Sequence, residues 1–369
     1  MTDPSDPLAE LRQRIDAIDE RLIALLHERA DCAVEVGQIK RELGIPVYAP
    51  HRESEVLKRI VEGHRGPMPP RTLEAVFREI MSGSFALEQP LRIGYLGPVG
   101  TYSHLAAKRH FGSSVEYEDL RAIEGVFEEV ARGHVDYGLV PIENSTGGGI
   151  VETLDAFLAY HRQIKIYGEV QLAVHFSLLT NSAPHDVRRI YSKAEAFTQC
   201  RNWLSTQYPQ VDRIPVDSTA LAVKRVRGDL DRDPNCGSAA IGSSLAGELY
   251  DVHCLFENIE DRQGNVTRFL ILSRSETKPS GDDKTSIMFT TDDRPGSLVD
   301  VLNVFKTAGI NLTHIDKRPS REVNWDYTFF IDAVGHAKDP RIAEVIGQSR
   351  AYCKHLTVLG SYPRSKQVL

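Results

Sequence analysis

LRQRIDAIDERLIALLHERADCAVEVGQIK, residues 11–40, decides how the chain must begin. Taken back to Leu8, it sets Leu8, Leu11, Ile15, Ile18, Leu22, Leu25, Arg29, Cys32, Val36 and Ile39 on one line by steps of three and four. Such spacing keeps one stripe of a long helix facing a neighbour, as in a coiled-coil seam. No proline interrupts residues 8–42, and Pro46 and Pro50 end the run. At 1.5 Å per residue the helix spans roughly 52 Å. A helical region of about 90 residues is too small to cover that length, so the seam predicts a dimer with the long helices packed along each other.

Arg29 puts a charge on the apolar stripe; it either snorkels to solvent, pairs with an acid such as Glu53, or meets a ligand. Lys40 follows eleven residues on, only about 20° away around the helix. Two cations on one inward line suit an anion held within the bundle. Arg12 lies roughly 100° off that line and far along the axis, and reaches such a site more easily from a partner subunit. A second helix is predicted over 51–62 and a third over 71–87, with the loop GHRGPMPP (63–70) between them and Pro90 closing the region.

From Leu91 the texture changes. LRIGYLG, VDYGLVPIE, IYGEVQLAVHFSLLT, AAIG and TRFLIL are strand candidates alternating with amphipathic stretches at 121–132 and 217–227. That alternation implies an α/β domain. SRSETKPSGDD (273–283) reads as a linker. Beyond it TSIMFTT, GSLVDVLNVFKTAG, INLTHIDKRPS, WDYTFFIDAV, PRIAEVIGQSRAYC and KHLTVLGSY follow the β-α-β-β-α-β order of a ferredoxin-like α+β domain. The expected domains are 1–90, 91–275 and 284–363.

Composition narrows the function. A net charge of −7 argues against a nucleic-acid partner, and no apolar run is long enough to span a membrane. The five cysteines are dispersed without CxxC spacing, which suits reduced thiols and predicts no metal site. MTDPSDPLAELRQ carries no apolar signal core, so a cytoplasmic protein is expected.

Three local motifs carry chemistry in the middle region. GYLGPVGTYSH (94–104) lacks GxGxxG spacing, which argues against a dinucleotide cofactor. Its Thr101 and Ser103 either bind a carboxylate at a helix N-terminus or merely cap it. ENSTGGG (143–149) is either a plain surface turn or a hydroxyl-rich ligand loop, and TRF (267–269) either an edge-strand start or part of the same site.

The helical region, from LRQRIDAIDERLIALLHERADCAVEVGQIK through HRE to Ser84, resembles the AroQ-type chorismate mutases, all-α bundles. The resemblance implies that Arg12, Arg29 and Lys40 are cationic ligands and that Arg52, Glu53, Ser84 and Glu88 complete the polar site. Ala49 stands where close relatives often carry Asp, leaving only its backbone N–H to serve, and Glu88 stands where Gln is often found. Chorismate is a dianion that rearranges pericyclically, so a clamp on two carboxylates and a donor on the ether oxygen are what help.

GPVGTYSH, ENSTGGG, IYSKAEAFTQC and NVTRF, in that order, resemble prephenate dehydratase, a two-lobed α/β fold of the periplasmic-binding-protein type with its site between the lobes. The resemblance implies Thr101, Asn144, Ser145, Ser192, Gln199, Thr267, Arg268 and Phe269 as site residues. Thr267 is the implied catalytic donor, and Arg268 is either a carboxylate partner or structural. Lys193 stands where the family usually has His, and no role is assigned to it. Gly296-Ser297-Leu298-Val299 and Arg318-Pro319 resemble the phenylalanine-binding motifs of the ACT domain, implying feedback inhibition at a dimer interface. A rival reading, a sensor that binds without turnover, leaves the Arg/Lys set and Thr267 unexplained. A second rival is an enzyme with one dead domain.

Overall fold

The computed structural model describes residues 7–319 and 327–369. The end of HIDKRPSR (Ser320, Arg321) and the start of WDYTFFIDAV (Trp325, Asp326) lie outside the described residues, as do residues 1–6.

Three helices open the chain: α1 (Pro7–Leu43), α2 (Pro50–Gly63) and α3 (Pro70–Glu88). Pro50 and Pro70 occupy first helical positions, where no backbone N–H is needed. The inward face of α1 in a single chain is not the apolar seam; its buried residues are Ala33 and Gly37. A Cβ on Gly37 would meet the Glu88 Cα at 2.7 Å, so glycine is what lets α1 and α3 close. α3 is only ~28 Å long against ~55 Å for α1. The seam beyond it is bare: Leu11 is 56%, Ile18 51% and Leu25 59% exposed. Covering each such side chain would contribute roughly 1.5–3 kcal/mol.

The first α/β lobe comprises β1 (Arg92–Leu96), α4 (Tyr102–Phe111), β2 (Glu116–Leu120), α5 (Ile123–Arg132), β3 (Tyr137–Asn144), β4 (Gly148–Gly149), α6 (Val151–Tyr160) and β5 (Lys165–Ala173). The chain then crosses into a second lobe of β6 (Ser177–Leu179), β7 (Arg189–Ser192), α7 (Ala194–Gln199), α8 (Arg201–Gln207), β8 (Asp212–Pro215), α9 (Thr219–Arg232), β9 (Ser238–Gly242), α10 (Ser244–Tyr250) and β10 (Cys254–Phe256). It returns as β11 (Val266–Ser273), inserted antiparallel between β3 and β5. The sheet orders are β2-β1-β3-β11-β5 and β10-β6-β9-β7-β8. IYGEVQLAVHFSLLT, one apolar run in the sequence, is therefore two strands in two sheets. Val174 and Phe176, in the crossover, stay apolar because they pack in the second lobe's core, so hydrophobicity hides the break.

The C-terminal domain follows the expected order: β12 (Asp283–Thr290), α11 (Ser297–Thr307), β13 (Leu312–Pro319), β14 (Tyr327–Val334), α12 (Pro340–Ser349) and β15 (His355–Pro363). Its sheet runs β13-β14-β12-β15. Met288, Phe330, Leu359 and Tyr362 join the core of the first lobe, so this domain is docked there rather than tethered. The stretch read as a linker is pinned: Thr277 is 2% exposed, and Asp283 accepts from the Ser280 hydroxyl at 2.7 Å and the Gly281 N–H at 3.1 Å.

Candidate functional site

In the helical domain the structure brings four expected residues together. Lys40 Nζ donates to Glu88 Oε2 at 2.8 Å and to the Val47 carbonyl at 2.7 Å. Arg29 donates to the Ser84 hydroxyl at 2.5 Å, and that hydroxyl donates to the Ile80 carbonyl at 2.9 Å. Ser84 and Glu88, four residues apart on α3, both face inward and are buried. Gln89 is extended, caps α3 and is exposed, which fixes the register of the helix.

The remaining mutase candidates stand apart in a single chain. Arg12 is exposed on the bare half of α1. Arg52 is exposed and pairs with Glu55 at 2.9 Å. Ala49 caps α2, and its carbonyl accepts from the Arg52 and Glu53 N–H groups, each at 3.0 Å. Glu53 turns towards the first lobe, 3.7 Å from His110 Nε2, which leaves Arg29 without the acid considered for it.

Between the α/β lobes a chain of amides and hydroxyls converges on Thr267. Asn144 Nδ2 donates to Thr267 Oγ1 at 2.9 Å and to Asn265 Oδ1 at 2.8 Å. Asn265 donates to Gln199 Oε1 at 2.7 Å, and Gln199 donates to the Thr146 hydroxyl at 3.3 Å. Asn144 Oδ1 accepts from the Thr146 hydroxyl at 2.6 Å and the Gly147 N–H at 2.9 Å, which folds the ENSTGGG turn. Ser145 accepts from the Val266 N–H at 2.9 Å, tying that turn to the head of β11. Gln199 comes from the second lobe, so the set spans the cleft. Asn265 was not singled out from the sequence; its signal was position, two residues before Thr267 and just ahead of β11.

Four other dehydratase candidates stand outside that chain of hydrogen bonds. Arg268 is adjacent to Thr267 on β11, so strand alternation sends it to the opposite face. There it donates to Glu169 at 2.8 Å and Asp332 at 2.5 Å, locking β11 to the C-terminal domain; it is structural and not aimed at the cleft. Phe269 is 1% exposed within the first lobe's core. Ser192 is fully buried and donates to the Ile241 carbonyl at 2.8 Å, tying β7 to β9. Thr101 caps α4, accepting from the His104 N–H at 3.3 Å and donating to the Leu96 carbonyl at 3.1 Å.

The Arg268 node is electrostatically closed. Lys284 adds a 2.9 Å contact to Glu169, and Ser286 a 2.5 Å contact to Asp332. Burial pushes the Asp332 carboxyl up, but Arg268 and Lys284 outweigh it and hold the group below the usual carboxylate range.

In the C-terminal domain Gly296, Ser297, Leu298 and Val299 line one pocket of ≈ 220 Å³ with Tyr327 and Phe329. Gly296 caps α11 at φ 88°, a backbone that glycine adopts without strain. The Ser297 hydroxyl is buried there without a hydrogen-bond partner. Arg318 is not in that pocket. It grips Asp155 on α6 through two bonds of 2.7 and 2.9 Å, and Pro319 ends the same edge strand.

Comparison with known proteins agrees with the three-part architecture. Family models for chorismate mutase type II, prephenate dehydratase and the ACT domain match residues 11–89, 93–277 and 285–350. A bifunctional chorismate mutase/prephenate dehydratase of Pseudomonas aeruginosa is 46% identical over 367 residues, 98% of either chain. The Aquifex aeolicus enzyme of that name is 40% identical, over 98% of this chain and 99% of its own. A solved prephenate dehydratase from Arthrobacter aurescens in complex with L-Phe is 32% identical, with a TM-score of 0.69 over 76% of this chain and 92% of its own. With the mutase-like cation pair and the Thr267 cleft in one continuous match, the chain belongs to the bifunctional chorismate mutase/prephenate dehydratase family.

Proposed function

We propose that Arg29, Lys40, Ser84 and Glu88, completed by Arg12 of a second copy, form the site that rearranges chorismate to prephenate. Prephenate is then decarboxylated and dehydrated to phenylpyruvate in the cleft at Thr267. The single observation that carries the second assignment is the Asn144–Thr267 bond. Thr267 accepts from an amide N–H, which leaves its own proton to donate. As the ring carboxylate leaves as CO2, its electron pair enters the ring and the C4–O bond breaks; the donated proton lets the oxygen depart as water. A threonine hydroxyl is a weak acid by itself, so the chain from Gln199 through Asn265 and Asn144 serves to hold and polarise it. Chorismate mixed with the full chain should lose its absorbance and give phenylpyruvate; a stable spectrum with bound ligand would favour the non-catalytic sensor.

Phenylalanine is the proposed feedback ligand, at the Gly296–Val299 pocket. The working form is a homodimer or higher even oligomer in the cytoplasm, without nucleic-acid or membrane partners. Among the described residues no helix is long and apolar enough to cross a membrane. Gly296→Val should weaken phenylalanine inhibition by filling the pocket at a backbone that favours glycine. Arg318→Ala should weaken it by a different route, cutting the tie to Asp155. Both should keep the uninhibited rate within about twofold, since neither touches the cleft. Unchanged inhibition curves in both variants would remove the sensor assignment.

The mutase should also respond to Glu88. Breaking the ether bond gathers negative charge on its oxygen, and an ionised Glu88 competes for Lys40 while repelling that charge. Glu88→Gln should raise mutase turnover, because an amide offers an N–H to that oxygen where a carboxylate offers none. Gln89→Ala, outside the site, should change little. The reverse outcome would mean that Glu88 does not face the substrate.

A further inference from the structure

The segment joining α1 to α2 belongs to the helical domain by sequence, yet its centre is buried in the dehydratase domain. Val47 is 7% and Tyr48 1% exposed, both within the core built on β1, β3, β5 and β11. Their two consecutive carbonyls point to different domains. The Val47 carbonyl accepts from Lys40 Nζ at 2.7 Å. The Tyr48 carbonyl accepts from the Tyr167 hydroxyl at 3.1 Å and the Tyr137 hydroxyl at 3.3 Å. The Tyr48 hydroxyl lies 2.7 Å from His110 Nε2 on α4. Its ring meets those of Tyr137 and Phe111 edge-on, with centroids 5.2 and 5.1 Å apart. Burial, and then the Glu53 carboxylate, push the Tyr48 hydroxyl well above its usual pKa, so the residue stays a neutral plug.

Holding both the side chain and the carbonyl of Tyr48 leaves the planar peptide before it little room to swing. That peptide carries the Val47 oxygen, one of the two acceptors on Lys40. We propose that Tyr48 is a positioning residue of the mutase site, anchored from the dehydratase domain by Tyr137, Tyr167 and His110. Through the Val47 carbonyl it aims Lys40 at the ether oxygen of the substrate. The inference rests on Lys40 belonging to the mutase site, and adds that a core in another domain sets its geometry.

The test uses the full chain carrying Tyr137→Phe with Tyr167→Phe, which keeps both rings and removes both donors to the Tyr48 carbonyl. Lys40 acts on charge that develops only in the transition state, so its misplacement is read in kcat. Mutase kcat should fall about tenfold with KM within about twofold. Dehydratase kcat should stay within about twofold, because neither tyrosine lies in the cleft. Should the double variant fail to fold, Tyr167→Phe alone is read by the same split, with about a threefold loss expected. Lys40→Ala separates the two layers. If it leaves the mutase active, the site assignment itself falls. If it is inactive while the tyrosine variants keep wild-type kcat, the positioning role is overturned. A joint fall of both activities with a lowered Tm would overturn it as well, making the tyrosines purely structural.

Discussion

Thr267→Ala should lower phenylpyruvate formation by at least about 100-fold, the ordinary worth of a positioned proton donor. Chorismate should still become prephenate at the normal rate, because the two sites share no residue. The variant removes one hydroxyl at a 9% exposed position and leaves the Asn144 amide its second acceptor, Asn265. The fold should therefore survive, and Thr267→Ser should recover much of the rate by returning a hydroxyl to the same place. Separate assays with chorismate and with prephenate check this. A mutase rate that falls in proportion would contradict two independent sites, and an active alanine variant would take the donor role from Thr267.

Arg29→Ala should cost the mutase about 100-fold or more, as expected when a charged donor is removed from a preorganised anion site. Dehydratase activity should be untouched. Arg12→Ala should be similarly inactive, although Arg12 stands on the exposed half of α1, away from Arg29 and Lys40. If Arg12 serves the partner's site, refolding the two dead proteins together restores activity. Random pairing makes half of the dimers mixed, and each mixed dimer holds one site with both arginines. Recovery should approach about a quarter of wild type. No recovery despite verified mixed dimers would confine Arg12 to its own chain or exclude it.

The long helix was legible because its signal is local. Three-and-four spacing over residues 8–39 needs no knowledge of the rest of the fold, and α1 ends within a residue of the expected place. The C-terminal domain was legible for the same reason. β2 was not, since EYEDL is polar and largely exposed, and only its pairing with β1 makes it a strand. The Thr267 site was legible as a set of motifs but not as a geometry. TRF reads as one unit in sequence, whereas strand alternation divides it between the cleft and the opposite face of the sheet. The Arg318 contact was hidden for the same reason: a motif match says which residues recur together, and Asp155, its partner, lies 163 positions away. Tyr48 carried no sequence signal at all. It is a lone aromatic between Pro46 and Pro50, and what gives it a role is contact with residues from three distant elements.

The return of β11 into the first lobe also has a consequence for how the chain is made. Thr267 is in register with Asn144 on one side and Leu172 on the other, so this sheet is completed by a strand that leaves the ribosome after the whole second lobe. During synthesis β3 and β5 must wait with open edges while β6 to β10 are built. Contacts of such long sequence separation form slowly, and waiting strand edges are where nascent chains stick to one another. The second lobe, whose strands pair only among themselves, is free to fold first. A nascent chain stopped before residue 266 should therefore protect the second lobe from proteolysis and leave the first open to it, even though the first was translated earlier.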